Sequence, residues 1–347
     1  MKKSLLALAV LGAFSGVASA QSSVTMFGIV DLSMRQTKND GGDSRVTMVS
    51  DNLNSNRFGV RGVEDLGGGL KAGFHLEGGM SPDDGTNGKF DFRRKSTVAL
   101  MGGFGEVRLG RDYTPTFYNT SAFDPFGTNG AGTSFLTSRA FGPLGVPTYV
   151  RANNAISYFL PAMGGLYGQI MVAAGEGAPV GAAAAKYTGG RIGFAAGPID
   201  VAASTGQTDM TVAGTLKAKI FNVAGSYKIG PAKIQAQYND EKVETGPGAE
   251  AKEVWILLGA NVTMGQGEIR GSWVKSNNKT TGQDANDPTH LSLGYIYNLS
   301  PRTALYATWS SISNKGTSNF AIAAAGAAAP TAGGKSTAYE GGLRHIF

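Results

Sequence analysis

The sequence predicts an all-β fold, a transmembrane antiparallel β-barrel of about sixteen strands. Three features carry that prediction. The first is the last segment, Tyr339-Glu340-Gly341-Gly342-Leu343-Arg344-His345-Ile346-Phe347. Read with period two, Tyr339, Gly341, Leu343, His345 and Phe347 share one face, and Glu340, Gly342, Arg344 and Ile346 share the other. An apolar, aromatic-tipped face backed by a charged one suits a wall with lipid outside and water inside. The second feature is a regular hairpin meter. The third is that, past the first twenty residues, no run is apolar enough to cross a bilayer as a helix.

The meter is set by tight turns. They read Asp65-Leu66-Gly67-Gly68-Gly69, Gly102-Gly103-Phe104-Gly105, Pro161-Ala162-Met163-Gly164-Gly165, Ala196-Gly197-Pro198, Ile229-Gly230-Pro231, Met264-Gly265-Gln266-Gly267 and Leu299-Ser300-Pro301. Glycine and proline there supply the backbone angles that turns require. In the second half the turns recur about every 33 to 35 residues, enough for two spanning strands and a longer polar loop. Seven hairpins, closed by a first strand near 24–35 and a last strand over 336–347, give the count of sixteen. A soluble β-sandwich would show turns of similar length at both ends, and the long–short asymmetry disfavours it.

Alternation is clearest late in the chain. Ala232, Ile234, Ala236 and Tyr238 oppose Lys233, Gln235, Gln237 and Asn239. Leu291, Leu293, Tyr295 and Tyr297 oppose His290, Ser292, Gly294 and Ile296, and Ile269, Gly271 and Trp273 oppose Glu268, Arg270 and Ser272. The apolar sets are expected to face lipid and the others the lumen. Residues 215–227 hold no clean phase. Segments 173–190, 239–253 and 320–335 read as low-complexity surface loops.

The N-terminus reads as an export leader over 1–20: Met1-Lys2-Lys3, an apolar stretch over 5–17, and Ala18-Ser19-Ala20 as the cleavage site. The stretch is too short for a transmembrane anchor. The mature domain is then 21–347. There is no cysteine, which excludes disulfides, thiolate metal sites and a Cys nucleophile. The net charge is +6, and loss of Lys2 and Lys3 leaves 29 basic against 25 acidic side chains. Without a basic run, and with an export signal, this excess does not point to nucleic acid.

One interval breaks the meter. Between the turns at Gly103 and Met163 lie about 59 residues, and the excess falls in 112–150. That stretch is rich in Pro, Gly, Thr and Phe, with Tyr113-Thr114-Pro115-Thr116-Phe117 and Asp124-Pro125-Phe126-Gly127. A long insert in a barrel can fold inward and narrow it, and Phe117, Phe123, Phe126, Phe135 and Phe141 need something to pack against. The alternative is a loop lying exposed over the mouth. Asp112 and Asp124 are its only acids.

Five pieces carry a family resemblance: Ser23-Val24-Thr25-Met26-Phe27-Gly28-Ile29-Val30-Asp31, the run Arg57-Phe58-Gly59-Val60-Arg61-Gly62-Val63-Glu64-Asp65-Leu66-Gly67-Gly68-Gly69-Leu70-Lys71-Ala72, Gly105-Glu106-Val107-Arg108-Leu109-Gly110-Arg111, Arg151-Ala152-Asn153-Asn154-Ala155-Ile156-Ser157-Tyr158, and Gly342-Leu343-Arg344-His345-Ile346-Phe347. In their order and spacing they resemble the general porins of Gram-negative bacteria, specifically the betaproteobacterial type with anion-selective members. The resemblance implies a sixteen-stranded homotrimer in the outer membrane, with the third loop folded into each pore opposite a cluster of wall arginines. Carried over by position, those arginines are Arg57, Arg94 and Arg151. Period two independently places Arg57 with Gly59, Arg61 and Val63, and Arg151 with Asn153, Ala155 and Ser157; for Arg94 the phase is ambiguous. Glu77 shares the lumen face with Gly73 and His75. Asp112 and Asp124 are the loop's acids, Asp124 standing in the family's Asp-Pro-Phe position. Phe347 resembles the terminal aromatic read by the outer-membrane assembly machinery. Lipopolysaccharide and other outer-membrane lipids are the implied surroundings.

The expected function is passive diffusion of small hydrophilic solutes with a preference for small anions. A substrate-specific channel for phosphate or organic anions is the alternative, set apart by a saturable site. An outer-membrane enzyme is disfavoured. Only His75, His290 and His345 are present, and neither a Gly-x-Ser-x-Gly elbow nor a His-Glu-x-x-His metal motif occurs. No cofactor or metal is expected.

Overall fold

The computed structural model describes residues 23–85, 91–175, 185–211, 216–283 and 285–347. The leader over 1–20 lies outside the described residues. The strands are β1 Ser23–Asn39, β2 Arg45–Ser50, β3 Arg57–Gly67, β4 Leu70–Gly79, β5 Lys95–Gly102, β6 Gly105–Tyr113, β7 Arg151–Phe159, β8 Leu166–Ala173 and β9 Lys186–Ala196. Then follow β10 Ile199–Asp209, β11 Lys217–Ile229, β12 Ala232–Gly246, β13 Ala249–Met264, β14 Gly267–Asn278, β15 Thr289–Asn298, β16 Thr303–Ser313 and β17 Lys335–Ile346. All pair antiparallel with their neighbours, and β1 pairs β17, so the sheet closes on itself.

Seventeen segments make sixteen staves, because β2 and β3 run end to end along one edge of β1. Leu32–Thr37 of β1 pairs with β2, and Ser23–Ile29 pairs with β3. Between them, residues 51–56 turn inward onto Asp31. Its carboxylate accepts the amides of Leu53 (2.8 Å) and Asn54 (2.6 Å) and the Tyr306 hydroxyl. This break in the second stave is not legible in the sequence pattern.

All seven predicted turns join hairpins, from β3–β4 to β15–β16. Closure is as expected at the last strand. Ile29 pairs with Ile346, and the register runs to Asn39 opposite Ser336. Gly28 and Phe347 then exchange two backbone hydrogen bonds of 3.0 Å. The Phe347 ring lies so close over Gly28 that a Cβ there would sit 2.2 Å from it.

The barrel inverts the soluble pattern, with apolar side chains outside and polar ones buried. Ile234, Tyr238, Leu291, Leu293, Tyr295, Tyr297, Tyr339 and Leu343 are exposed, while Gln235, Gln237, Asn239, His290, Ser292 and Glu340 are buried. Strand β11 also alternates cleanly, contrary to the reading of 215–227. Its lumen face carries Ala218 and Ile220, which pack against Phe135, Val146 and Tyr149 of the inward loop. An apolar lumen face erases the polar half of the signal.

Two of the three expected loops are corrected. Residues 239–253 are mostly strand, the ends of β12 and β13 joined by a two-residue turn. At 15 and 16 residues these strands outrun the roughly ten needed to span, so their water-exposed ends lack an apolar face. In 173–190, β9 already begins at Lys186. Gly189 and Gly206 on adjacent strands both lie under the Tyr187 hydroxyl, leaving no room for a Cβ. Residues 320–335 are irregular as expected, but they fold over the mouth. Ala323 and Ala328 accept hydrogen bonds from Arg35 (2.9 Å) and Asn39 (2.7 Å) through their carbonyls, and Ile322 is fully buried.

Candidate functional site

Residues 114–150 fold into the barrel and lie along the inner wall of β9–β16. The helix α1, Pro115–Ala122, starts at Thr114, whose hydroxyl accepts the amide of Phe117, and proline occupies its first turn. Asn119 on α1 donates to Asn222 (2.8 Å) and accepts from Arg191 (2.9 Å), while Gln237 donates to the Thr120 carbonyl (2.9 Å). At the loop tip, Phe126 lies 4.3 Å from the Arg270 guanidinium. Beyond it, Ser310 donates to the Ala131 carbonyl (2.8 Å), and Arg139 donates its amide to Glu253 (2.7 Å). Ser138 and Tyr149 donate to Glu241 (2.7 and 2.8 Å). Phe123, Phe126 and Phe135 are buried as the sequence required; Phe141 remains 40% exposed, its ring tilted 57° against Phe135 at 4.3 Å.

The three predicted arginines converge on the wall across from this loop. Arg57 starts β3, Arg151 starts β7, and Arg94 immediately precedes β5. Arg94 Nε is 2.7 Å and Arg57 Nη1 3.5 Å from the same Glu77 oxygen. Arg94 and Arg151 both donate to the Tyr113 hydroxyl, at 3.1 and 2.8 Å, and Arg151 also stacks on that ring at 4.4 Å. Two guanidinium groups on one phenol oxygen lie within about 6 Å of each other, and at an effective dielectric of about 20 they repel by about 3 kcal/mol. Glu77, with Asp51 near Arg57 and Arg94, sets two carboxylates against three guanidiniums and leaves the wall positive. His75, 3.4 Å from Glu77, completes the group.

The structure refines several placements. Arg94 stands outside the regular strand, so it does not share a face with Ser96 and Val98. This lets it and Lys95 both reach the lumen, where Lys95 contacts Asp112 at 3.2 Å. On β7, Ala155 and Ser157 face in and Ile156 faces out, but Asn154, at φ 50°, interrupts the alternation between them and Arg151. A matching irregularity sits in β6 between Gly110 and Asp112.

The two acids expected in the loop do not project into the pore. β6 runs through Tyr113, so Asp112 belongs to the wall, where Arg108 (2.5 Å) and Lys95 neutralise it. Asp124 is buried at the loop tip and accepts the amides of Phe126 (2.8 Å), Ser134 (2.9 Å) and Thr128 (3.2 Å). Burial pushes its carboxyl above the usual range, and those amides pull the other way. Sequence reasoning missed Tyr113, which gathers Arg94 and Arg151. Its only signal was its place at the junction of wall and loop.

Comparison with known proteins follows the same outline. The family profile described as Gram-negative porin matches residues 7–317. Outer membrane porin protein 32 of Delftia acidovorans is 39% identical over 356 residues, covering 100% of both chains. An outer membrane porin protein of Bordetella pertussis is 30% identical over 413 residues, again covering both chains fully. Among solved structures, an anion-selective porin from Comamonas acidovorans superposes with a TM-score of 0.86 at 36% identity, covering 94% of this chain and 100% of that one. A closed sixteen-stave barrel, a third loop folded inside it and full-length similarity to outer membrane porins lead to one conclusion: this chain belongs to the Gram-negative porin family, the channels of the outer membrane.

Proposed function

We propose that this porin is a general diffusion channel for small hydrophilic solutes whose constriction favours anions. The observation that carries the reading is Arg57, Arg94 and Arg151 gathered around Glu77, with Asp51 nearby, across the lumen from a loop whose acids are withdrawn. A positive ring in a narrow aqueous passage raises the local concentration of anions and lowers that of cations. The anion-selective porin of Comamonas acidovorans, alike over nearly the whole chain, supports it. The three histidines suit structure better than catalysis: His290 is walled in by Ser292, Ser310 and the Ala131 carbonyl, and His345 bonds Thr303. In liposomes carrying the protein, an organic anion should enter several-fold faster than a cation of equal size, with a neutral sugar between them. Equal rates for all three would reject the preference and leave only an unselective pore.

Phe347 supports a role in assembly. It forms the last rung against Gly28 with its ring on the outer surface, 47% exposed. Deleting it should lower the yield of folded homotrimer, read from unheated against boiled gel samples, while leaving the conductance of assembled channels unchanged. Normal yield would remove it from assembly. The leader over 1–20 would be cleaved before that step.

A further inference from the structure

The short-turn end of the lumen holds a second concentration of positive charge, separate from the constriction. A cavity of about 880 Å3 opens beside the tip of the inward loop, lined by Lys228, Lys233, Arg270 and Arg344, with Gln235 and Asn261 between them. The register brings these residues together. Lys228 lies directly opposite Lys233, Lys233 opposite Asn261, and Asn261 opposite Arg270. Arg344 reaches in from β17.

Two acids line the same cavity, and both are engaged elsewhere. Asp124 holds the three loop-tip amides, and Glu268 accepts from Asn261 at 2.9 Å. Among the described residues, none of the four cations forms an ion pair, whereas Arg35, Arg57, Arg94 and Arg108 all do. Like charges directly opposite in a sheet are destabilising, and Asp200 near Lys233 offsets part of the cost of the Lys228–Lys233 pair without forming an ion pair with it. Arg270 is 3% exposed, and its Nε and Nη2 lack hydrogen-bond partners. Arg344 gives one bond to Asn54 (3.0 Å), and its Nε has none. Buried donors without acceptors are rare in native proteins.

We propose that this vestibule is a binding subsite for a small oxyanion, a station on the short-turn side of the constriction. Asp200, Glu340 and Asp31 also act on these cations from the neighbouring wall, so what the vestibule offers an anion is the unpartnered N–H groups of Arg270 and Arg344 beside the two facing lysines. Guanidinium and ammonium groups together suit the several acceptor oxygens of such an ion. The subsite rests on the anion-preferring reading only for delivery of its ligand through the pore.

Sulfate is the probe. Added at millimolar concentration to reconstituted channels carrying chloride current, it should reduce that current saturably. The double substitution Lys228→Gln/Lys233→Gln should raise the half-blocking concentration at least about five-fold. Both lysines are solvent-accessible, and unchanged gel mobility before and after boiling checks that the variant folds. Arg94→Ala should do the converse, shifting the reversal potential while moving the half-blocking concentration less than about two-fold. Absence of sulfate block in the unaltered protein, or block indifferent to the double substitution, overturns the subsite. A cation-preferring reversal potential with the block intact would overturn the selectivity reading alone.

Discussion

Replacing Arg94 and Arg151 together by alanine is expected to move the pore's ion preference strongly toward cations. A mobile ion about 4 Å from one guanidinium feels about 1 kcal/mol even in water, with opposite sign for anion and cation. Each arginine therefore weights the anion-to-cation ratio by up to about 2 kcal/mol, roughly 30-fold, before salt screening reduces it. Glu77 would keep Arg57 at 3.5 Å and His75 at 3.4 Å, so the wall retains partners for its carboxylate. Tyr113 loses two donors but keeps its stacking with Phe117 at 5.1 Å. The reversal potential under a salt gradient reads the shift, and unchanged gel mobility of unheated against boiled samples shows that folding is intact. An unaltered potential would remove both arginines from the filter.

The second large effect concerns how the loop is held. Glu241 accepts from Ser138, Tyr149 and the Trp255 indole (2.9 Å), all buried. Glu241→Ala strips three donors of their acceptor, and bonds to a charged partner are worth about 1.5–3 kcal/mol each. The loop segment 138–149 should then leave the wall. Single-channel conductance and current noise should change by tens of per cent, and ion preference should weaken. Glu253, directly across the ladder from Glu241, offers the control. Glu253→Gln leaves one buried carboxyl in place of two facing acids while keeping an oxygen for the Arg139 amide, so its conductance should match the unaltered pore and its heat resistance should equal or exceed it. Unaltered conductance and noise in Glu241→Ala would show that the aromatic cluster around Phe135 holds the loop without it.

Much of the barrel was legible because turn chemistry is local. Each of the seven Gly/Pro turns marks a hairpin without reference to anything distant. Face assignment succeeded where one side meets lipid and the other water, as in β12, β14 and β15. It failed in β11 because the inward loop supplies an apolar neighbour that periodicity does not record. It also failed at 239–253, where the outer face passes beyond lipid into water while Glu241, Val243 and Glu253 on the inner face pack on the inward loop. The arginines Arg57 and Arg151 follow from phase and resemblance, whereas Arg94 depends on a non-strand position that period two does not address. Asp112 and Asp124 looked alike as acids of one long insert. Three-dimensional partners separate them: one sits in the wall between Lys95 and Arg108, the other staples the loop tip. Tyr113 emerges only from register, since it joins Arg94 of its own hairpin to Arg151 of the next, whereas Lys228 and Lys233 face each other across the single turn at 229–231.

The central claim is that three guanidiniums outnumbering the carboxylates Glu77 and Asp51 set the sign of selectivity. The reversal potential of the unaltered protein in a planar bilayer, under a potassium chloride gradient, tests it most directly. The expected sign is that of chloride, with a magnitude that falls as salt approaches 1 M and the screening length shrinks to about 3 Å. A potassium-preferring sign at low salt would contradict the account.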